Sequence, residues 1–174
     1  MKNKTRRIAY GALLTAIGVA LLAIGSVITT LDISLAAYTS LLILFVTIET
    51  DDKMAFSVFF CISVLSFLIL PQKSPAFMFA FFMGWYPIYK KHVEKLNVVL
   101  SWILKLSAFN TSMLLLYLFT TKIFSLPEDL VEMKVAFFLF ANIGFVLIDI
   151  FFTLFIPFYI FKIRKRLGFK KDLL

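Results

Sequence analysis

ANIGFVLIDIFFTLFIPFYIF, residues 141–161, carries one charge, Asp149, in an otherwise apolar run. A membrane-spanning helix needs about 20 predominantly apolar residues, and this stretch supplies them. A carboxylate at that depth costs roughly 2.5 to 3.5 kcal/mol on insertion scales, and such groups almost always face a cavity or a partner. The stretch therefore predicts a transmembrane helix and a sheltered Asp149.

The rest of the chain agrees. Of 174 residues, 61% are hydrophobic and 16% charged, whereas soluble domains run near half apolar and about a quarter charged. Without lipid, so small a globule leaves too much apolar surface in water. The expected class is an all-α polytopic membrane protein lying in a lipid bilayer. Cys61 and His92 are the single cysteine and histidine. Disulfides, zinc, haem and iron–sulfur chemistry thus have too few ligands, and Cys61, inside an apolar run, reads as a small buried hydrophobe. No HExxH, GxSxG or P-loop motif is present, and the acids are dispersed. Neither enzyme activity nor a cofactor or metal is expected. Without nucleotide-binding machinery the chain is passive, ion-coupled or one subunit of a larger machine.

Polar interruptions divide the chain into apolar runs at 8–29, 33–49, 54–70, 75–89, 97–121 and 135–161, followed by a basic tail, 162–174. The fourth run, PAFMFAFFMGWYPIY, is short and holds Pro87. It crosses as a distorted helix or dips in and returns, and broken backbone survives at membrane depth only inside protein or beside a water-filled cavity. Placing the N-terminus inside puts Lys2, Lys4, Arg6, Arg7, Lys53, Lys90, Lys91, Lys95, Lys162, Arg164, Lys165, Arg166, Lys170 and Lys171 on the inner side. Lys73, Lys122 and Lys134 fall outside. That asymmetry is the positive-inside bias, so the net charge of +8 reads as topology and not as a nucleic-acid footprint. Six spans keep both basic termini inside, as expected of a bacterial plasma-membrane protein. In the outer connection, residues 122–134, Pro127 with Glu128 and Asp129 reads as the start of a short capping helix. Trp85, Tyr86 and Tyr89 read as an interfacial belt, and Glu49, Asp51 and Asp52 as an acidic turn, solvated or paired with basic loops.

Two features point toward function. On the first span, Gly11, Thr15, Gly18, Gly25 and Ser26 share one side, with Ala9, Ala12, Ala16, Ala20 and Ala23 adjoining. Small residues let helices approach closely in lipid, and this surface serves either the bundle or a second membrane subunit. In the last two spans, depth counts at 1.5 Å per residue put Asp149 level with Asn110 and Lys105 below them. Asn142 is seven positions from Asp149 on the same helix face. Lys105, Asn110, Asn142 and Asp149 are expected to form a polar seam, either a structural lock between helices or the lining of a substrate site.

Six spans with both ends inside and an AxxxA pattern at Ala12, Ala16 and Ala20 resemble the S components of ECF (energy-coupling factor) transporters. FFMGWYPIYKK, WILKLSAFN and IGFVLIDI are also similar to an uncharacterised group of bacterial membrane proteins. The S-component resemblance implies a small-solute-binding subunit that docks through helix one onto a transmembrane coupling subunit carried by ATPases. It also implies that Asn110, Asn142 and Asp149 face the solute. The TTLDI connection is shorter than the gating loop of several S components. Rival expectations are an assembly protein whose polar groups only hold helices, and an ion-coupled carrier using Asp149.

Overall fold

In lipid, apolar segments satisfy their backbone internally, and for runs of this length that means helix. The computed structural model describes residues 2–124 and 131–163 and is helical accordingly. Helices α1 (Lys2–Val27), α2 (Asp32–Glu49) and α3 (Asp52–Ile69) come first, followed by the short α4 (Ser74–Met78) and α5 (Tyr86–Val93). The long α6 (Val98–Phe124) and α7 (Val131–Phe158) complete the chain. Five helices are long and apolar enough to cross a membrane: Arg7–Val27, Asp32–Glu49, Asp52–Ile69, Val98–Phe119 and Phe138–Lys162. This is a membrane protein. The expected capping helix at Pro127 and the basic tail beyond Ile163 lie outside the described residues.

The chain divides into two compact units, residues 1–105 and 106–173, with α6 passing from one into the other.

In the first unit, α1 packs on α2 and α3 along a glycine stripe spaced by seven. A Cβ on Gly18 would sit 2.5 Å from Ile62 Cδ1 and 3.3 Å from Thr39 Cγ2, and one on Gly25 would sit 3.4 Å from the Asp32 Cα. A side chain at Gly18 would therefore have to displace Ile62, whereas one at Gly25 would meet its neighbours at ordinary contact distance. Thr15 and Ser26 are buried on the same side, as is Leu14. Ala9, Ala12, Ala16 and Ala20 are all exposed. The small-residue surface is thus split, its glycine half covered by this chain and its alanine half bare.

The fourth apolar run is broken, and the breaks follow from its sequence. Pro75 opens α4, a π-helical turn occupies Phe79–Met83, and α5 begins at Tyr86 with Pro87 in its first turn. Pro87 has no N–H to offer the Met83 carbonyl one turn back. Ser40 on α2 takes over, its buried hydroxyl donating to Met83 O at 2.6 Å, while the Trp85 indole N–H donates to Phe81 O at 2.8 Å. The irregular backbone is accommodated as membrane depth requires, inside protein: Pro75, Ala76, Phe79, Phe82, Met83, Tyr86 and Pro87 are buried. The segment runs the length of α2. At one end Ser74 Oγ donates to Asp32 Oδ2 at 2.8 Å; at the other Lys91 Nζ donates to Thr47 O at 3.3 Å.

Two sequence expectations need correcting here. Tyr86 is 1% exposed and stacks with Phe82 at 4.8 Å, and Trp85 turns its indole back onto its own helix. Tyr86 thus fills the unit's interior instead of joining a belt, while Trp85 and Tyr89 are half-buried. Cys61 is exposed, not buried; it lies on the outer face of α3, away from Ile62 and Ser66, which carry the packing.

The acidic turn is paired. Arg7 meets Asp51 at 2.5 Å, and Lys91 and His92 meet the two Asp52 oxygens at 2.6 and 3.2 Å. The charged ends of α1, α3 and α5 therefore gather at one end of this unit.

In the second unit, α6 and α7 meet through larger side chains. Phe109 stacks on Phe145 with centroids 4.6 Å apart. Beyond Pro157, which removes one more backbone donor, α7 loosens into a π-helical turn, Tyr159–Ile163.

Candidate functional site

Two polar groupings lie at membrane depth or at its edge, one in each unit. In the second unit Asn110 and Asn142 face each other as a reciprocal amide pair. Asn110 Nδ2 donates to Asn142 Oδ1 at 3.1 Å, and Asn142 Nδ2 donates to Asn110 Oδ1 at 3.0 Å. Each amide also donates to its own helix, to Leu106 O and Phe138 O respectively. A side-chain amide has two donor hydrogens and one acceptor oxygen, so each amide has both hydrogens and its oxygen engaged within this pair and its own helix.

The depth counts made Asp149 the partner level with Asn110, but Asn142 holds that level. Those counts assumed that α6 and α7 leave the inner surface together. The seven-residue difference, about 10 Å at 1.5 Å per residue, is the error in that assumption.

Asp149 is 2% exposed and does not point into lipid. It shares a buried face of α7 with Phe145 and Phe152, at the four- and three-residue spacing that aligns side chains on a helix. Thr153 Oγ1 donates to the Asp149 carbonyl at 2.9 Å. Of the hydroxyls near Asn110, Ser112 is buried while Ser107 and Thr111 are exposed.

The first unit holds the second grouping. Lys105 is 4% exposed, and its ammonium reaches Glu94 Oε1 at 3.0 Å. The same oxygen receives Lys90 Nζ at 2.7 Å. Lys90 is 1% exposed, among the largest fully buried side chains of the chain, although its sequence neighbourhood reads as a solvated inner loop. The Trp102 ring lies under the Lys105 ammonium at 5.3 Å, a cation–π contact. Tyr89 donates to Leu104 O at 3.3 Å, tying α5 to α6 beside the cluster. Burial pushes the Glu94 carboxyl up, but hydrogen bonds from Lys90 and Lys105 outweigh it and hold the group below the usual glutamate range.

Lys90 and Glu94 escape a reading by hydropathy. Their one sequence signal is the four-residue spacing of an ion pair on a helix, and the adjacent Lys91 and Lys95 obscure it. Among the described residues no three of His, Cys, Asp and Glu gather as metal ligands would.

Comparison with protein-family models, with curated proteins and with solved structures gives no match to this chain. Its functional reading therefore stands on the geometry above.

Proposed function

We propose that this chain is a non-enzymatic, six-crossing subunit of the bacterial plasma membrane. It docks onto a partner membrane subunit through the alanine face of α1 and serves the capture of a small solute. The observation that carries the proposal is the division of α1. Its glycines are covered by α2 and α3, while Ala12, Ala16 and Ala20 are exposed along the helix. Lipid tails impose no need for a smooth surface, whereas helix–helix packing in membranes favours one. A bare alanine face beside a used glycine face is what a second helix requires. This is also the arrangement that the likeness to ECF S components implies, with a coupling subunit and its ATPases as partner.

In this reading the sixth crossing is the broken segment, which runs along α2 from Asp32 to Thr47, added to the five long helices. An even count keeps both basic termini on the inner side.

A specific observation favours a narrower role for part of the expected seam. Because Asn110 and Asn142 satisfy one another, they serve as a lock between α6 and α7 under any function. Lys105, beside a carboxylate that opens to the surface, is the better placed of the four expected site residues to meet a ligand.

Docking is tested by photo-crosslinking from position 16 in native membranes, with the crosslinked membrane protein identified by mass spectrometry. The double variant Ala12→Leu with Ala20→Leu should abolish the crosslink and leave the melting temperature unchanged, since neither side chain is covered. An undiminished crosslink in that variant removes the docking reading.

A further inference from the structure

We propose that Lys90 and Lys105 form an oxyanion site whose resident occupant is the Glu94 carboxylate, and that the phosphate group of a ligand takes its place as shared acceptor. The inference goes beyond docking and holds whether or not α1 has a partner.

Two ammonium groups from different elements, Lys90 on α5 and Lys105 on α6, converge on one oxygen, Glu94 Oε1, at 2.7 and 3.0 Å. Both lysine side chains are more than nine-tenths buried, whereas Glu94 is 33% exposed. The donors are therefore enclosed, and the acceptor is the member of the cluster that reaches the surface. Trp102 holds Lys105 from below, and Glu94 sits just past the end of α5, where the helix has finished and side-chain placement is less constrained.

Bringing two cations to one acceptor is costly unless a full negative charge sits between them, since buried charges must be paired. A phosphate oxygen supplies that charge with the same charge-assisted geometry as a carboxylate. The neighbouring charges match the role. Lys91 and His92 are engaged with Asp52, and Lys95, exposed and next to Glu94 in sequence, adds positive charge. Basic groups beside a membrane also attract anionic lipid headgroups. A free phosphate and the headgroup of an anionic lipid present the same chemistry here, and experiment separates them.

The test uses the full chain purified in mild detergent. Its thermal unfolding is followed against sodium phosphate, with sodium chloride at equal ionic strength as control. In a second arm it is followed against phosphatidylglycerol, with phosphatidylcholine as control. Glu94→Gln removes the competing charge while keeping an acceptor oxygen, so it should bind at least about tenfold more tightly than the wild-type chain. Adding Lys105→Gln in that background should abolish the response. Stabilisation by phosphate alone identifies a free anion, and by phosphatidylglycerol alone a lipid headgroup; stabilisation by both identifies a site open to either. The proposal is overturned by equal responses in wild type and Glu94→Gln, by a response that survives Lys105→Gln, or by no response in either arm. Should Glu94→Gln not fold, Glu94→Asp draws the competing charge back by one methylene and should show the same gain at reduced size. No gain there is equally fatal.

Discussion

The two units of this protein join helices in opposite ways. In the first, α1 meets α2 and α3 through Gly18 and Gly25, where a single added carbon would fall 2.5 Å from Ile62 or 3.4 Å from the Asp32 backbone. In the second, α6 and α7 are linked by an amide pair and a Phe109–Phe145 stack at 4.6 Å. Backbone approach suits the crowded interior around α2, whose apolar window is 39% buried, whereas that of α7 is 17% buried. Close packing draws on contact along the whole helix. A side-chain lock concentrates specificity in a few groups and leaves the rest of the helix to lipid. Membrane helices lack a hydrophobic drive toward one another, so the densely packed unit draws on close approach and the sparsely packed one on its side-chain lock.

Breaking the first device should have the largest effect. Gly18→Leu forces a branched side chain against Ile62 and Thr39, and overpacking of this kind costs about 3 kcal/mol. The variant should lose its monodisperse peak in detergent gel filtration. Ala16→Leu, two residues away on the bare face, should keep it. Equal behaviour of the two variants would erase the distinction between the faces of α1.

Next is the hydroxyl that repairs the broken segment. Ser40→Ala leaves the Met83 carbonyl buried without its donor, a loss of about 1 to 3 kcal/mol, read as a lowered melting temperature. Pro87→Ala restores a backbone N–H one turn beyond Met83. The double variant should therefore recover part of the loss, and simple additivity would show that Ser40 does not stand in for that proline.

The amide lock should matter less. Asn110→Leu strands the Asn142 amide. Side-chain hydrogen bonds between membrane helices average about 0.6 kcal/mol and reach about 1.7, so a melting shift of a few degrees is expected. Replacing both asparagines with leucine removes donor and acceptor together and should cost less than either single change. A loss of ligand binding without loss of stability in the double variant would instead return these residues to a solute site.

The smallest effect concerns pH. Glu94 has its carboxyl held below the usual range by Lys90 and Lys105, so the folded state favours its ionised form more than the unfolded chain does. The linked stability is fully present above the unfolded glutamate pKa of about 4.3. It is lost as pH falls through the lower folded value. Melting temperature should thus hold above about pH 4.3, fall as pH drops from there through the lower folded value and level off beneath it, and Glu94→Gln should flatten this acid limb selectively.

Hydropathy made the helices legible because it is a local property: about 20 apolar residues suffice to declare a span whatever surrounds them. Asp149 could likewise be expected to be sheltered, since its cost in lipid is the same in any fold, and at 2% exposure it is. The small residues of α1 were visible as a surface, but not their division, because an isolated helix carries no mark of which neighbour will cover which side. Pairing was less accessible still. Asn110 and Asn142 could be assigned to facing helices, yet their register depends on where each helix leaves the inner surface, and the charges fix that only to within a few turns.

Composition and charge placement alone determined that this is a membrane protein built of helices, and that its few intramembrane polar groups would need shelter. Only the tertiary structure decided that Lys90 is interior and shares the Glu94 carboxylate with Lys105, and that Tyr86 turns inward. It also decided that Ser40 repairs a carbonyl forty-three residues away in sequence. The physical reason is one of range. Transfer to lipid is summed residue by residue along the chain, whereas hydrogen bonds and ion pairs are won between groups that the sequence keeps far apart and the fold brings within three ångströms.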